Sequence, residues 1–330
     1  MICVAPRVRG LTSPRHAARN GGMSDELNQG RDFRGYGESP PAVRWPGDAR
    51  LAVSLVVNVE EGAELTLSAG DARNESVYEV VEEVTGVADS CMESHFEYGP
   101  RAGWPRIRDL LAGHGARATL NACGRAVAVT PWLAQQAIAA GHEVSCHGWR
   151  WERHANMSEN DERAVIARSV AAIRTACGAR PVGWHTRSAT SPHTRRLLVE
   201  EGGFLYDSNA YNDDLPYVVD VGGHAHVVLP YAFDTNDMRF QRGGGFVFAD
   251  DFARYCIDAF DRLHEEGARA PRMLSIGLHL RIIGRPARIG GLERLLAHMA
   301  AKRGVWFARR DEIAHAWRRG VGLPEWAGSR

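Results

Sequence analysis

From Ala49 onward, eight short apolar runs recur along the chain, separated by longer amphipathic stretches: RLAVSLVVNVE, ARATLNAC, HEVSCH, PVGWHT, GFLYDSN, HVVLPYAF, RMLSIGLHL and GVWFARR. As a set they are apolar on both faces, the pattern of strands buried on two sides in a parallel sheet. The stretches between them carry helix boundary signals. TPWLAQQAIAAGHE places Thr130 to cap, Pro131 in the first turn and Gly141 just past the end. ENDERAVIARSVAAIRTACG has acids in its first turns and Gly178 as a stop, and SPHTRRLLVEEGG repeats the scheme. Strand and helix alternating through short connections, with no internal repeat or linker-like tract, predict an α/β fold. The sheet is parallel, open or closed into a barrel.

The ends of the runs favour a barrel with a site. They finish in Glu60 and Glu61, Asn121, His147, His185 with Arg187, Asp207, Asp234 and His279. Polar groups converging at strand C-termini are how barrel enzymes assemble active sites, and this many endings are hard to attribute to chance. The expectation is a distorted (β/α) barrel of seven or eight strands.

A length of 330 residues is near two average domains, but one barrel absorbs it. The expected organisation is a single catalytic domain over 31–330 behind a disordered extension, 1–30. The first 22 residues hold four arginines and no acid. Transit segments share that bias, but an extension with Met23 as an alternative start is the simpler reading. Lys+Arg and Asp+Glu are equal at 40 each, so no electrostatic footprint for nucleic acid or an anionic membrane is present. No apolar run approaches the roughly 20 residues that span a bilayer. Six scattered cysteines without a Cys-x-x-Cys pair read as buried or free thiols in a reducing compartment, pointing to the cytoplasm.

Within VSCHGWRWERH, His147 ends an apolar run, where a strand would deliver a functional group. One helical turn later stands Trp151. In a helix His154 would lie roughly 10 Å along the axis from His147, too far to share an ion with ligand distances of about 2 Å. His154 therefore reads as a solvated surface histidine and His147 as functional. Glu60 and Glu61 are adjacent, so an extended backbone turns their carboxylates to opposite sides, and one of the two is expected to pair with an arginine. A general base needs a pKa lifted toward neutrality, which burial in a barrel mouth supplies. His279 ends MLSIGL with Arg281 and Arg285 close behind, which suggests a cationic site floor suited to a carbonyl-rich substrate. Asp213 and Asp214 in AYNDDLPY are either solvated loop acids or substrate contacts. Trp149, Trp151 and Trp184 are core residues by default, with Trp151 also a candidate apolar wall.

Together these residues resemble the polysaccharide deacetylase superfamily, whose fold is a distorted barrel. That family carries Asp-Asp-Gly after its first strand, the first Asp a base and the second a metal ligand; here the motif is Glu60-Glu61-Gly62. Its His-Ser/Thr-x-x-His motif supplies two metal ligands; here it is His147-Gly-Trp-Arg-Trp151. Its Leu-x-His general acid corresponds to His279 in IGLHL, and its orienting Arg and Asp correspond to Arg187 and Asp207. Both departures, aspartates to glutamates and histidine to tryptophan, are shared by the cofactor-independent bacterial allantoinases of urate breakdown. Long stretches look like that branch as well, including RDFRGYGESPPAVRWPGDARLAVSLVVNVEEGAE and RPVGWHTRSATSPHTRRLLVEEGGFLYDSNAYNDDLPY.

The resemblance implies a hydrolase of cyclic amide C–N bonds, with allantoin opened to allantoate. Glu60 would be general base, His279 general acid and Asp207 an orienting group. Glu61, His147, Trp151, Arg187 and Arg281 would bind substrate. No metal and no cofactor is expected. The substrate would be a small cyclic ureide or imide, and the chain would form a homo-oligomer. The competing readings are a cyclic imide hydrolase, a metal-dependent deacetylase of polysaccharides or N-acetyl sugars, and a non-catalytic ligand-binding barrel. The full base-and-acid set speaks against the last.

Overall fold

The computed structural model describes residues 31–328, apart from 34, 37, 38, 77–79 and 81. The expectation for residues 1–30 lies outside the described residues. The chain divides between Pro41 and Ala42 into two compact units, and the larger, from Ala42 onward, holds the sheet and its helices. The nine strands are β1 (Leu51–Val59), β2 (Ala118–Ala122), β3 (Glu143–Cys146), β4 (Gly183–Trp184), β5 (Tyr206–Asp207), β6 (Tyr217–Val221), β7 (His224–Val228), β8 (Arg272–His279) and β9 (Val305–Phe307). They form one sheet in the order β6-β7-β5-β4-β3-β2-β1-β8. All pairings are parallel except the β6/β7 hairpin, and β9 pairs with the first residues of β1.

All eight apolar runs form strands. The ninth strand, β6, escapes the apolar-run pattern because its burial alternates. Its sequence signal is the turn: Gly222 and Gly223, at φ of 61° and 86°, make the two-residue hairpin loop to β7. The sheet curls into a half-barrel. The segment from Leu229 to Asn236, which bends at 233–235, links its two sides. Leu229 N–H donates to the Asp207 carbonyl near β5, and Gly277 N–H on β8 donates to the Thr235 carbonyl.

The helices are α1 (Ser90–Tyr98), α2 (Trp104–Gly113), α3 (Gly124–Val129), α4 (Pro131–Ala139), α5 (Glu159–Cys177), α6 (Thr194–Glu201), α7 (Ala249–Glu266), α8 (Leu280–Ile283), α9 (Pro286–Ala300) and α10 (Arg310–Gly320). Helix α5 begins and ends as its sequence indicates: Ser158 caps by accepting from Asp161 N–H, and Gly178 closes it at φ 73°. Thr130 stands at the cap position of α4, but its hydroxyl donates backward to the Ala126 carbonyl of α3 and makes no cap bond. A single π-helical turn, Gly99–Gly103, joins α1 to α2.

Strand register sorts side chains between two environments. Asn58, Asn121 and Ser145 are cross-strand partners and face the interior of the curl, as does His279 opposite Asn58. Ser54 and Ser275, four residues below on the same faces, accept from the fully buried guanidinium of Arg310 at 3.1 Å each, so the floor of the barrel is a polar plug. Ala122, Cys146, Trp184, Asp207 and Val228 form the opposite row, facing the helices. Among the described residues five cysteines are free, and no helix is long and apolar enough to cross a membrane.

Candidate active site

Period-two geometry carries the row Ser54, Asn58, Glu60 up the inside of the curl. Glu60 arrives just beyond the end of β1, only 1% exposed. Its Oε1 lies 3.4 Å from His147 Nε2 and 3.5 Å from His279 Nε2, and its Oε2 accepts from the Arg281 guanidinium at 2.9 Å. His147, just past β3, is held through Nδ1 by the His185 carbonyl at 2.8 Å and stacks on the His185 ring at 5.1 Å. If that nitrogen donates, Nε2 of the neutral ring is left as an acceptor facing Glu60. His279 Nδ1 meets Asp237 Oδ1 at 2.6 Å, while Asp237 Oδ2 accepts the backbone N–H groups of His279 and Ile283. Asp237 opens a short 3₁₀ turn capped by Asn236.

These groups surround a small cavity, about 30 Å³, also lined by Asn58, Trp151, Arg187, Tyr211, Tyr231 and Phe233. Tyr211 and Phe233 stack at 3.9 Å and stay 38% and 41% exposed. Arg187 lies over Trp151 at 3.6 Å and bonds to Glu75 and the Trp151 carbonyl. The next residue, Ser188, lines the cavity with a left-handed φ of 54°, a costly conformation that functional sites often carry.

Electrostatics sets the two partners in opposite states. Burial raises the Glu60 pKa, but the charges of His279 and Arg281 outweigh it and hold the carboxyl well below the usual carboxylate range. Burial opposes protonation of His279, yet Glu60 and Asp237 prevail and lift it to about 10. At neutral pH the pair is therefore a carboxylate beside an imidazolium, a deprotonated base and a protonated acid. This corrects the expectation that burial lifts the base toward neutrality: two neighbouring cations reverse the sign. The lifted carboxyl is Glu61, raised to about 7 by burial, with Glu60's charge adding to it.

Several other expectations are corrected. Asp207 does not reach the cavity. Its row faces the helices, where it binds Arg195 at 2.8 Å and His226 at 3.0 Å, and the orienting carboxylate on His279 is Asp237 instead. Asp237 sits in DTNDMRF, and a carboxylate four residues beyond an apolar run gives little sequence signal. Asp234, with Asp213 and Asp214, lines a separate cavity of about 220 Å³. Arg281 is fully buried and absent from the cavity lining, and Arg285 turns away to stack on Tyr98 at 3.6 Å. His154 is not solvated: it is buried and pairs with Glu162 at 2.9 Å. Glu60 and Glu61 do not part as an extended backbone would turn them: both accept from Arg281 Nη1, at 2.9 and 3.4 Å, and Glu61 also lines a depression with Glu64 and Glu93.

The family profile described as Polysaccharide deacetylase matches residues 86–206. A Schizosaccharomyces pombe protein named "Putative polysaccharide deacetylase" is 38% identical over 312 residues, 87% of this chain and 96% of its own. The chain belongs to the polysaccharide deacetylase family. As a hydrolase of this family it acts on C–N bonds. Two solved structures superpose on most of it. One, "probable Polysaccharide deacetylase from Pseudomonas aeruginosa PAO1", is 45% identical and covers 88% of this chain and 98% of its own, with a TM-score of 0.84. The other, PuuE allantoinase, is 44% identical and covers 88% and 97%, also at 0.84.

The metal-dependent pattern of polysaccharide deacetylases does not fit these residues. Of the three ligand positions, His147 keeps an imidazole, Glu61 turns toward Arg281, and the third is the buried indole of Trp151. Among the described residues no group of three or more His, Cys, Asp or Glu is arranged to hold an ion. The positive charge beside the two carboxylates is a guanidinium.

Proposed function

We propose that this deacetylase-family protein hydrolyses a small cyclic amide, opening allantoin to allantoate. The observation that carries the reading is the ready ion pair, Glu60 carboxylate against His279 imidazolium, inside a cavity with Trp151 for a wall. A water between Glu60 Oε1 and His147 Nε2 would donate to both and direct a lone pair at a ring carbonyl. As the O–C bond forms, Glu60 takes a proton. As the C–N bond breaks, the ring nitrogen takes the proton of His279 Nε2. The products are a carboxylic acid and an N–H, and the proton on Glu60 then passes to His279, 3.5 Å away, restoring the pair. Asp237 holds the His279 ring throughout.

A cyclic ureide suits such a site. A second acyl group on the ring nitrogen makes the attacked carbonyl more electrophilic and the departing nitrogen a better leaving group, so less is asked of the base and acid. An acetamide on a sugar offers neither advantage. Arg187 lines the cavity with Nη1 held by Glu75 and the Trp151 carbonyl, and its remaining N–H donors would meet a ring carbonyl. The 44% identity to PuuE allantoinase supports allantoin over simple imides.

The test is a substrate panel: allantoin, hydantoin, succinimide, dihydrouracil and chitin oligomers with the purified protein. Ring opening of allantoin with chitin oligomers untouched is the expected result. Preferential turnover of succinimide or dihydrouracil would make it a cyclic imide hydrolase, and deacetylation of sugars alone would overturn the reading.

A further inference from the structure

The geometry points to Arg281 as the resident cation of the site: a planar guanidinium built in between Glu60 and Glu61 that positions the base from behind and never touches substrate. The residue sits in α8, two positions after His279, so one chain segment delivers both the acid and the cation. Its guanidinium donates to Glu60 Oε2 at 2.9 Å and to Glu61 Oε1 at 3.4 Å, and its backbone N–H reaches the same Glu61 oxygen at 3.3 Å. Phe96 and Trp151 pack against it, with ring centroids 4.3 and 5.1 Å from the guanidinium carbon. It is 0% exposed and does not line the catalytic cavity.

The buried Glu60 carboxylate, pressed against the Glu61 carboxyl of the next residue, needs a counter-charge that water cannot supply. In this site the guanidinium fills that need. One nitrogen, Nη1, donates to an oxygen of each carboxyl, which commits Glu60 Oε2 and leaves Oε1 for the face shared by His147 and His279. The surrounding backbone is cut to fit. At Gly99 a Cβ would come within 2.6 Å of the Glu61 carboxyl, and at Gly103 within 2.1 Å of the carbonyl of Leu280, the residue before Arg281. Trp151, in place of an imidazole, then serves as part of the aromatic box around the cation.

The inference adopts Glu60 as base from the proposed function, but one arm of its test needs no substrate. In R281A, guanidinium chloride at about 20–50 mM should refill the gap. Melting temperature should rise by about 2 °C or more over equal sodium chloride. The wild type should show no such rise, and neither should R281A carrying E60Q. A folded R281A that guanidinium does not stabilise overturns the inference. The second arm is kinetic, on whichever cyclic amide the wild type opens. R281A should lose at least ~100-fold in kcat with KM within about threefold, and guanidinium should restore ~10-fold or more. A loss confined to KM would mean that Arg281 binds substrate and would also overturn it. If R281A does not fold, R281Q, which removes the charge and keeps polar reach, decides: a kcat at least ~10-fold down with KM within about threefold supports the resident cation, and a kcat within about twofold of wild type refutes it. A wild type inert on every cyclic amide removes the functional reading and leaves the thermal arm to judge the cation.

Discussion

Glu60→Gln tests the base and its electrostatic partner in one substitution. Glutamine keeps the size of the side chain, and its carbonyl oxygen can still accept from Arg281, the 2.9 Å contact that anchors Glu60 Oε2. Its amide group would then occupy the place of Oε1, facing His147 Nε2 and His279 Nε2 at 3.4 and 3.5 Å, and can donate to the former. The fold should persist. The substitution removes the proton acceptor, which typically contributes 10²–10⁴ in rate, on the order of 3–5 kcal/mol of barrier. A second effect comes from charge. His279 is raised to about 10, opposed by burial, and Glu60 is the foremost of the charges that raise it. An opposite charge at this range is worth about 1–3 units, so E60Q should pull His279 down by at least ~1 unit. Because the His279 value lies above its unfolded one, its ionisation stabilises the fold fully below the unfolded value and is lost as pH rises through about 10. The alkaline limb of activity, where the acid deprotonates, should end at the same pH in the wild type and earlier in E60Q. Initial rates from pH 6 to 11 on ring opening, with thermal melts over the same range, measure both effects. A near-normal rate would move the base role elsewhere, with Glu61 first in line. A lost rate with an unmoved alkaline limb would mean that His279 does not owe its charge to Glu60.

Asp237→Asn should lower kcat by ~10²-fold or more, since the two backbone N–H donors fix the amide oxygen and turn its NH₂ toward His279 Nδ1, which can no longer donate there; unchanged kinetics would remove Asp237 as the orienting group. Activity should survive dialysis against a chelator, and stoichiometric zinc lost together with activity would refute the cation assignment as well. His154→Ala should cost about 1–3 kcal/mol in denaturant unfolding, because the buried Glu162 carboxylate loses one hydrogen-bond partner but keeps Ser191 and Thr194; a loss under about 0.5 kcal/mol would show the pair to be dispensable.

Most of the strands, and much of the chemistry that meets at their ends, are legible in the chain's own pattern. Eight apolar runs bounded by turn and cap residues have few other fates, and buried parallel strands must deliver the residues after them to the same rim. Glu60, His147, Arg187 and His279 can therefore be read as candidate site residues from the sequence alone, and the four line one cavity. Four features depend on how the chain closes in space. Strand parity puts Asp207 among the helices, because a two-residue strand leaves too little alternation to tell its faces apart. Asp237 reaches His279 across forty-two residues of chain, through a segment whose course only the closing of the curl fixes. The burial of His154 depends on α5 and α6 packing over it, and a lone histidine in a polar stretch carries no sign of that. The sign of the Glu60 shift is set by where Arg281 and His279 lie. Burial and neighbouring charge act on a carboxylate in opposite directions, and only distances say which prevails.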